Sequence, residues 1–240
     1  MRYFGGKAKI APHLVAYLQT RIAPDQAFVD LFCGSCNVLS RIQADRKTGC
    51  DIEETIICTM KAARDGAKFP DYVSEDQYQA AKSLDSMNHL KGFILYGCSF
   101  SGKFAGGYAR DNRGRSYALE AKRSLERKAA GLQDAALYCC DYTEADRWTN
   151  LRGAVIYCDI PYHGKTGYQN KFDHDRFYNW VASQEDCLIL ISEYKDSYNP
   201  LGLPDVWEHE SIQGMRNKEG IQNKTVEVLR EYVGRGYTGV

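Results

Sequence analysis

Four aspartates could form one binding site, because each follows a short apolar run at a point where a strand would end. They are Asp30, Asp51, Asp141 and Asp159. Parallel sheets bind ligands beyond the carboxyl ends of their strands, so four such carboxylates would converge on one crevice. Any single aspartate at such a point also serves as a cap for the helix or turn that follows. Four of them together indicate a ligand site.

The turn after the first aspartate suits a nucleoside-containing ligand. The run Asp30-Leu31-Phe32-Cys33-Gly34-Ser35-Cys36 follows a strand, and Gly34 would let a ligand approach the backbone at the start of a helix. Asp51 lies about 20 residues on, where nucleotide sites place an acid on the ribose hydroxyls. Dinucleotide-binding enzymes share these features, and a plain strand-to-helix turn has a similar composition. The two features together do not name the ligand.

The cysteines favour neither a metal site nor a disulfide framework. The chain has nine, an odd number, and in a cytosolic protein of 240 residues they are expected to be free thiols. Cys33 and Cys36 have C-x-x-C spacing, which also occurs in redox and zinc sites. However, Cys139 and Cys140 are adjacent and cannot serve as a second chelating pair. We therefore expect no metal.

The elements that must position these residues alternate between strands and helices. Strands are predicted at 27–30, 48–51, 136–141, 155–159 and 187–192, and a less buried or edge strand at 226–232. Helices are predicted at 9–22, 36–46, 116–131 and 173–182. This alternation predicts an α/β fold with a Rossmann-like, doubly wound, mostly parallel sheet.

The stretch from about residue 58 to residue 134 differs from the rest, since it has no convincing strand and reads as helices joined by a glycine-rich loop. The whole chain has 31 basic and 31 acidic residues, which excludes a generally basic nucleic-acid coat. Residues 91–128 nevertheless carry a net charge of +6. Arg110, Arg113 and Arg115 flank Gly114 in a loop that is either a solvated charged loop or a contact for DNA phosphates and bases.

The motif Asp159-Ile160-Pro161-Tyr162 resembles the D-P-P-Y motif of amino-methyltransferases, and five further motifs in the same order make the resemblance specific. The chain resembles the Dam-type (D12 class) DNA adenine N6-methyltransferases, above all their phage members, over nearly its whole length. The further matching segments are Tyr3-Phe4-Gly5-Gly6-Lys7, residues 30–36 with Asp51, Cys140-Asp141-Tyr142, the glycine-rich residues 97–110, and Ile191-Ser192-Glu193-Tyr194.

This resemblance implies a division of the chain and a set of site residues. Residues 1–57 and 135–240 would form a catalytic domain that binds S-adenosylmethionine, and residues 58–134 a helical target-recognition insert. The catalytic residues would be Asp159, Ile160, Pro161 and Tyr162. The cofactor residues would be Tyr3, Gly5, Gly6, Lys7, Asp30, Phe32, Gly34, Asp51, Asp141, Tyr142 and Asp159. The DNA-binding residues would be Lys103, Tyr108, Arg110, Arg113 and Arg115.

The chemistry accounts for these residue types. An adenine amino nitrogen is a poor nucleophile, because its lone pair is delocalised into the ring. The Asp159 carboxylate and the carbonyl of residue 160 could accept both of its N–H bonds and direct the lone pair toward the sulfonium methyl of the cofactor. Tyr162 would stack on an adenine flipped out of double-stranded DNA, and S-adenosylhomocysteine would be the product.

Two positions depart from the family pattern. Ile160 replaces the first proline of D-P-P-Y, which keeps the carbonyl but loses the fixed φ. Cys36 replaces a glycine beside the methionine part of the cofactor. Alternatives that stay open are an N4-cytosine or RNA adenine methyltransferase and a catalytically impaired DNA-binding relative. A nicotinamide-dependent oxidoreductase would leave residues 159–162 unexplained.

The remaining expectations concern location and assembly. No apolar run approaches the roughly 20 residues of a bilayer span, and residues 1–7 lack the apolar core of a signal peptide. We therefore expect a cytoplasmic protein that does not bind membranes and is a monomer or weak dimer.

Overall fold

Seven strands form one mixed sheet in the computed structural model, which describes residues 1–111, 114–163, 172–216 and 222–239. The strand order is β3-β2-β1-β4-β5-β7-β6. Strands β1 to β5 are parallel neighbours, and β7 runs antiparallel between β5 and β6. The strands are β1 (Ala27–Asp30), β2 (Arg46–Asp51), β3 (Ala135–Cys139), β4 (Val155–Cys158), β5 (Leu188–Tyr194), β6 (Asp205–Arg216) and β7 (Gln222–Val233).

Both faces of the sheet are covered, because the central strands carry apolar side chains on both of their faces. In β5, Leu188 and Leu190 point into one buried cluster, while Ile189 and Ile191 point into another on the opposite face. The first face is covered by α1 (Ala11–Gln19), α2 (Glu54–Arg64), α3 (Glu75–Ala81), α4 (His89–Gly97) and α5 (Tyr117–Ala130), and the second by α6 (His174–Ser183). The predicted doubly wound architecture is confirmed.

The predicted helix over 116–131 is confirmed with its caps. The Ser116 hydroxyl accepts a hydrogen bond from the backbone N–H of Leu119 at 3.2 Å, and Gly131 follows the last residue of α5. Leu125 is fully buried on the face turned toward the sheet. None of the helices among the described residues is long and apolar enough to cross a membrane.

The predicted helix over 36–46 is wrong, because only a short 3-10 turn forms at Leu39–Arg41 before β2 begins at residue 46. Cys36 has a φ of +54°, in the left-handed region. The carbonyl of Ser35 accepts a hydrogen bond from the ammonium of Lys128, and the guanidinium of Arg41 donates to the carbonyl of Asn37. Side-chain donors therefore bond two carbonyls that a helix would bond through its backbone N–H groups. The sequence suggested that Gly34 lies at the start of a helix, but no α-helix begins there.

The expected edge strand at 226–232 lies inside the sheet instead. It forms most of β7, where Val228 and Leu229 are fully buried between β5 and β6. The strand at this edge of the sheet is β6, and β3 lies at the other edge. We did not predict β6, because its first residues mix charged and apolar side chains. Its Trp207, His209 and Ser211 pair with Leu229, Glu227 and Thr225 of β7.

The helices between β2 and β3 share a core with the sheet. Tyr78 of α3 and Phe93 of α4 lie in the same buried cluster as Phe28 of β1 and Tyr157 of β4. The predicted boundary between residues 57 and 58 falls inside α2. The division into a catalytic domain and an insert over 58–134 stays a prediction.

Candidate active site

A cavity of about 530 Å³ opens at the carboxyl ends of the parallel strands. The four aspartates that end or follow these strands all line it. Every residue that the sequence suggested for cofactor binding lies in its wall: Tyr3, Gly5, Gly6, Lys7, Asp30, Phe32, Gly34, Asp51, Asp141, Tyr142 and Asp159. The structure thus places these residues together, while their roles stay predictions.

Asp51 organises the turn after β1. Its Oδ2 accepts a hydrogen bond from the N–H of Gly34 at 2.8 Å, and its Oδ1 accepts one from the N–H of Glu53 at 2.9 Å. Burial raises the pKa of Asp51 to about 6, although these two N–H groups oppose the shift. Gly34 has a φ of +46°, and a Cβ there would lie 2.9 Å from Cε1 of Tyr3. The Tyr3 ring therefore packs directly on the backbone of this turn.

The carboxylates in the cavity destabilise one another's charged forms. Burial raises the pKa of Asp30 well above its ordinary value, and the neighbouring Asp159 adds to this effect. Burial also raises the pKa of Asp159 to about 6. Such a cluster favours a ligand that brings positive charge.

Aromatic rings form another part of the cavity wall. The rings of Phe32 and Tyr142 stack with their centroids 5.6 Å apart, and Phe172 meets Phe32 edge to face. Asp141 stands beside these rings, where its Oδ1 accepts the N–H of Thr143 at 3.0 Å and lies 3.4 Å from Nη2 of Arg176. Flat apolar walls with a carboxylate at one edge could hold a planar ring that carries an amino group.

Lys7 joins two carboxylates that lie far apart in the sequence. Its Nζ lies 2.7 Å from Oδ1 of Asp159 and 3.3 Å from Oε2 of Glu227, and it also bonds the hydroxyl of Tyr162. The Lys7 side chain is only 6% exposed. Although its burial lowers the pKa, Asp159 and Glu227 outweigh this effect, so the pKa of Lys7 lies above its usual value. Lys7 is therefore a buried ammonium between two acids.

The predicted catalytic residues follow β4 directly. Asp159 and Pro161 line the cavity, whereas the Ile160 side chain is buried in the core between the sheet and α6. The Tyr162 hydroxyl donates to Oε2 of Glu227 at 2.9 Å and lies 3.2 Å from Oγ of Ser192. The Lys7 ammonium lies 4.3 Å from the centre of its ring. Stacking of Tyr162 on a base stays a prediction.

Three residues at this site were not assigned to it from the sequence. Glu227 gave no signal, since it is one of several charged residues in the alternating run of β7. Glu193 belongs to a matched motif, but its role was not inferred. His174 was given no role at this site from the sequence, and its Nε2 lies 2.8 Å from the carbonyl oxygen of Pro161.

The residues predicted to bind DNA separate into two groups. Lys103 is exposed at the rim of the main cavity, while Tyr108, Arg110 and Arg115 line a second cavity of about 260 Å³. Arg113 lies outside the described residues. Nη2 of Arg110 lies 2.6 and 2.7 Å from the two carboxylate oxygens of Glu75, Arg115 pairs with Glu120, and Lys122 pairs with Asp71 at 2.7 Å. The basic segment is thus partly neutralised, and Asp71 and Glu75 lie outside the segment whose charge we counted.

The nine cysteines are all free thiols. Cys33 and Cys36 are buried beside the cavity, and Cys36 occupies the left-handed conformation that suits the family glycine. Within the described part of the chain, no group of three or more His, Cys, Asp or Glu residues could hold a metal ion.

The strand order, the antiparallel β7 and the cavity beyond β1, β2 and β4 define a Rossmann-like methyltransferase fold. Residues 3–93 match the family model of the "D12 class N6 adenine-specific DNA methyltransferase". The resemblance drawn from the motifs is thereby confirmed, and it is to D12-type adenine methyltransferases.

Comparison with known proteins agrees with this family. The chain is 24% identical to the Type II methyltransferase M.FokI of Planomicrobium okeanokoites over 89% of its own length. It spans only 36% of the length of that relative.

Similar solved structures include the rRNA methyltransferase aviRa of Streptomyces viridochromogenes, at 12% identity and a TM-score of 0.46, with 93% of this chain and 84% of that one covered. An rRNA methylase of Streptococcus thermophilus is similar at 10% identity and a TM-score of 0.37, with 92% and 96% covered.

Proposed function

We propose that this protein is a DNA adenine N6-methyltransferase that uses S-adenosylmethionine. The observation that carries the proposal is the position of Asp159, which follows β4, lines the cavity and is held by the buried Lys7 at 2.7 Å. The family match and the relative of Planomicrobium okeanokoites support adenine in DNA as the substrate.

The chemistry of the cavity fits the cofactor. Asp51 would accept hydrogen bonds from ribose hydroxyls, and the adenine ring would lie against the aromatic wall of Phe32 and Tyr142 beside Asp141. The clustered carboxylates Asp30 and Asp159 suit a cationic sulfonium, since a positive charge would relieve their mutual repulsion. When bound, the cofactor would supply an electrophilic methyl group.

The protein's own residues would orient the target amine. In its charged form, the Asp159 carboxylate accepts one N–H of the amino group, and the carbonyl of Ile160 accepts the other. Both acceptors are fixed before the substrate arrives, so little reorganisation is needed at the moment of transfer. No covalent intermediate is required. A flipped base is part of this proposal, because the cavity lies at the edge of the sheet and a stacked adenine could not enter it.

The helical region between β2 and β3 would bind double-stranded DNA. It supplies Lys103 at the rim of the cavity, and it carries the cations of the second cavity. The Arg115 guanidinium already pairs through Nε and Nη2 with the two oxygens of Glu120, which is the geometry with which arginine binds phosphate or guanine. The oligomeric state expected from the sequence stays a prediction.

The test is transfer of a tritiated methyl group from S-adenosylmethionine to unmethylated double-stranded DNA and, in a parallel reaction, to RNA. A nucleoside digest should contain N6-methyladenine. N4-methylcytosine would replace this proposal by the cytosine alternative, and label in RNA alone would replace it by an RNA methyltransferase. A protein that binds DNA and cofactor without any transfer would be a catalytically impaired relative.

A further inference from the structure

The five residues Asp159–His163 are each fixed by a different part of the molecule. Lys7 holds the Asp159 carboxylate, and the Ile160 side chain, 1% exposed, is anchored in the core. The remaining contacts reach the backbone and the tyrosine: His174 bonds the carbonyl of Pro161, Glu227 and Ser192 bond the hydroxyl of Tyr162, and Glu193 bonds the N–H of His163.

His174 can act as a rigid brace because its ring is packed on several sides. Its centroid lies 4.9 Å from those of His163 and Phe172, and Tyr198 meets it edge to face. It is the first residue of α6, whose N-terminus is capped by the Asp173 side chain. With the proton on Nε2, the imidazole donates to the Pro161 carbonyl, which fixes the rotation of the peptide that follows Pro161.

Glu193 fixes the other end of the segment from within the sheet. The residue is fully buried on β5, and its Oε2 accepts the N–H of His163 at 3.2 Å while its Oε1 accepts the N–H of Tyr194 at 2.9 Å. Burial raises the pKa of Glu193, and these two N–H groups favour its charged form. The Glu193 carboxylate therefore accepts hydrogen bonds from the backbone instead of from water.

These contacts lie on both sides of residue 160, whose φ a proline would fix. A proline at position 160 would fix φ there through its ring, but Ile160 does not. The φ of Pro161 is already set by its own ring, and the bond from His174 sets the angle after it. Asp159 is held on the other side by Lys7. With both flanks fixed, the peptide between residues 160 and 161 has little freedom to rotate.

We propose that His174 and Glu193 are positioning residues that hold the carbonyl of Ile160 toward the target amine, in place of the constraint that a proline at position 160 would supply. This inference rests on the proposed function for the role of that carbonyl. The restraint of residues 160–163 by His174 and Glu193, here called the brace, can be measured by amide hydrogen exchange without methyl transfer.

The experiment combines His174→Ala with Ile160→Pro in a double-mutant cycle. Two readouts are taken on each full-length variant: hydrogen exchange of the amides of Tyr162 and His163, and kcat with KM for S-adenosylmethionine. His174→Ala should speed exchange and lower kcat by about 10-fold to 100-fold, while KM for the cofactor stays unchanged. In the Ile160→Pro background the same change should cost less than about 3-fold in both readouts.

Conservative variants make the test independent of whether Ile160→Pro folds. His174→Gln keeps a side-chain N–H donor and Glu193→Gln keeps an acceptor, so both should lie closer to wild type than His174→Ala and Glu193→Ala. Asn179→Ala, on an exposed position of α6, is the matched control for effects on the helix.

Equal losses in the wild-type and Ile160→Pro backgrounds, or exchange and kcat that do not respond to His174→Ala, would overturn the inference. Equal losses for the alanine and glutamine variants would do the same. A wild-type protein that transfers no methyl group would instead refute the proposed function, and the exchange cycle would still decide whether the brace exists.

Discussion

Lys7 and Glu227 form a buried ion pair at 3.3 Å between the N-terminal segment and the seventh strand. The pair matters because the same ammonium lies 2.7 Å from Asp159, so that one lysine is shared by two carboxylates. Tyr162 closes the group by donating to Glu227. The electrostatics of Asp159 are therefore set by residues from both ends of the described chain.

Replacing Asp159 should remove methyl transfer. In Asp159→Asn the charge that pairs with Lys7 and accepts the substrate N–H is lost, and we expect kcat to fall by at least about 100-fold. Circular dichroism should stay unchanged, since the side chain lies at the cavity rather than in the core. Asp146→Asn, which removes a charge from an exposed position, is the control. Full activity in Asp159→Asn would refute the proposed orientation of the amine.

Glu227→Gln should change the pH profile as well as the rate. Glu227 raises the pKa of Asp159, so its removal should lower that pKa and move the acidic limb of the kcat profile to lower pH. The loss of the charged partner of Lys7 and Tyr162 should also reduce kcat by about 10-fold at neutral pH. Glu208→Gln is the matched control, because it removes an exposed glutamate of β6 that pairs with Lys195. This variant should leave the pH profile of kcat unchanged. If the acidic limb does not move in Glu227→Gln, Glu227 does not influence the pKa of Asp159.

The apo protein should lose stability as pH rises from about 4 to about 6. Asp51 and Asp159 have folded pKa values of about 6, above their ordinary value of 3.8, so the folded chain binds more protons than the unfolded chain in this window. Their contribution to the free energy of unfolding therefore falls through the window and stays low above it. Urea unfolding across pH measures this.

The affinity for S-adenosylmethionine should increase over the same pH range, because Asp51 and Asp159 become charged. Asp51→Asn should reduce the pH dependence of both the free energy of unfolding and the cofactor affinity. Cofactor affinity that is independent of pH between about 5 and about 7 would contradict the proposed role of the carboxylate cluster.

The arginines of the second cavity should bind DNA, whose phosphates would replace their carboxylate partners Glu75 and Glu120. Arg110→Ala and Arg115→Ala should each weaken binding, and the salt dependence of log K should become shallower by about one for each lost phosphate contact. Glu75→Gln should strengthen binding, because it frees Arg110 from its ion pair. Arg152→Ala removes an exposed arginine, paired with Glu185, from the stretch that precedes β4 and serves as control. If fluorescence anisotropy shows unchanged affinity for both alanine variants, this loop is not part of the interface.

The parts of the site that could be predicted are those governed by regular strand geometry. Because parallel strands end at one edge, the aspartates at the ends of four runs had to lie close together, and all four line the cavity. The edge strand β6 could not be predicted, since its charged residues obscure the alternation.

The helix over 36–46 was predicted wrongly for a different reason. Its composition suits a helix, but Lys128 from a distant segment takes the carbonyl of Ser35. Likewise the pairing of Glu227 with Lys7, and of Glu75 with Arg110, depends on tertiary contacts that no local pattern contains. Sequence therefore indicates where the carboxylates lie but not which cations they meet.

The position of β7 between β5 and β6 has a consequence for synthesis. Because β6 bonds only to β7 among the described strands, it cannot join the sheet until the ribosome has released the later strand. Lys7 is made before Glu227 and can pair with it only after β7 has been made. The pocket around Asp159 is thus completed only once β7 joins the sheet, and a nascent chain that stops before β7 carries every matched motif without a finished site.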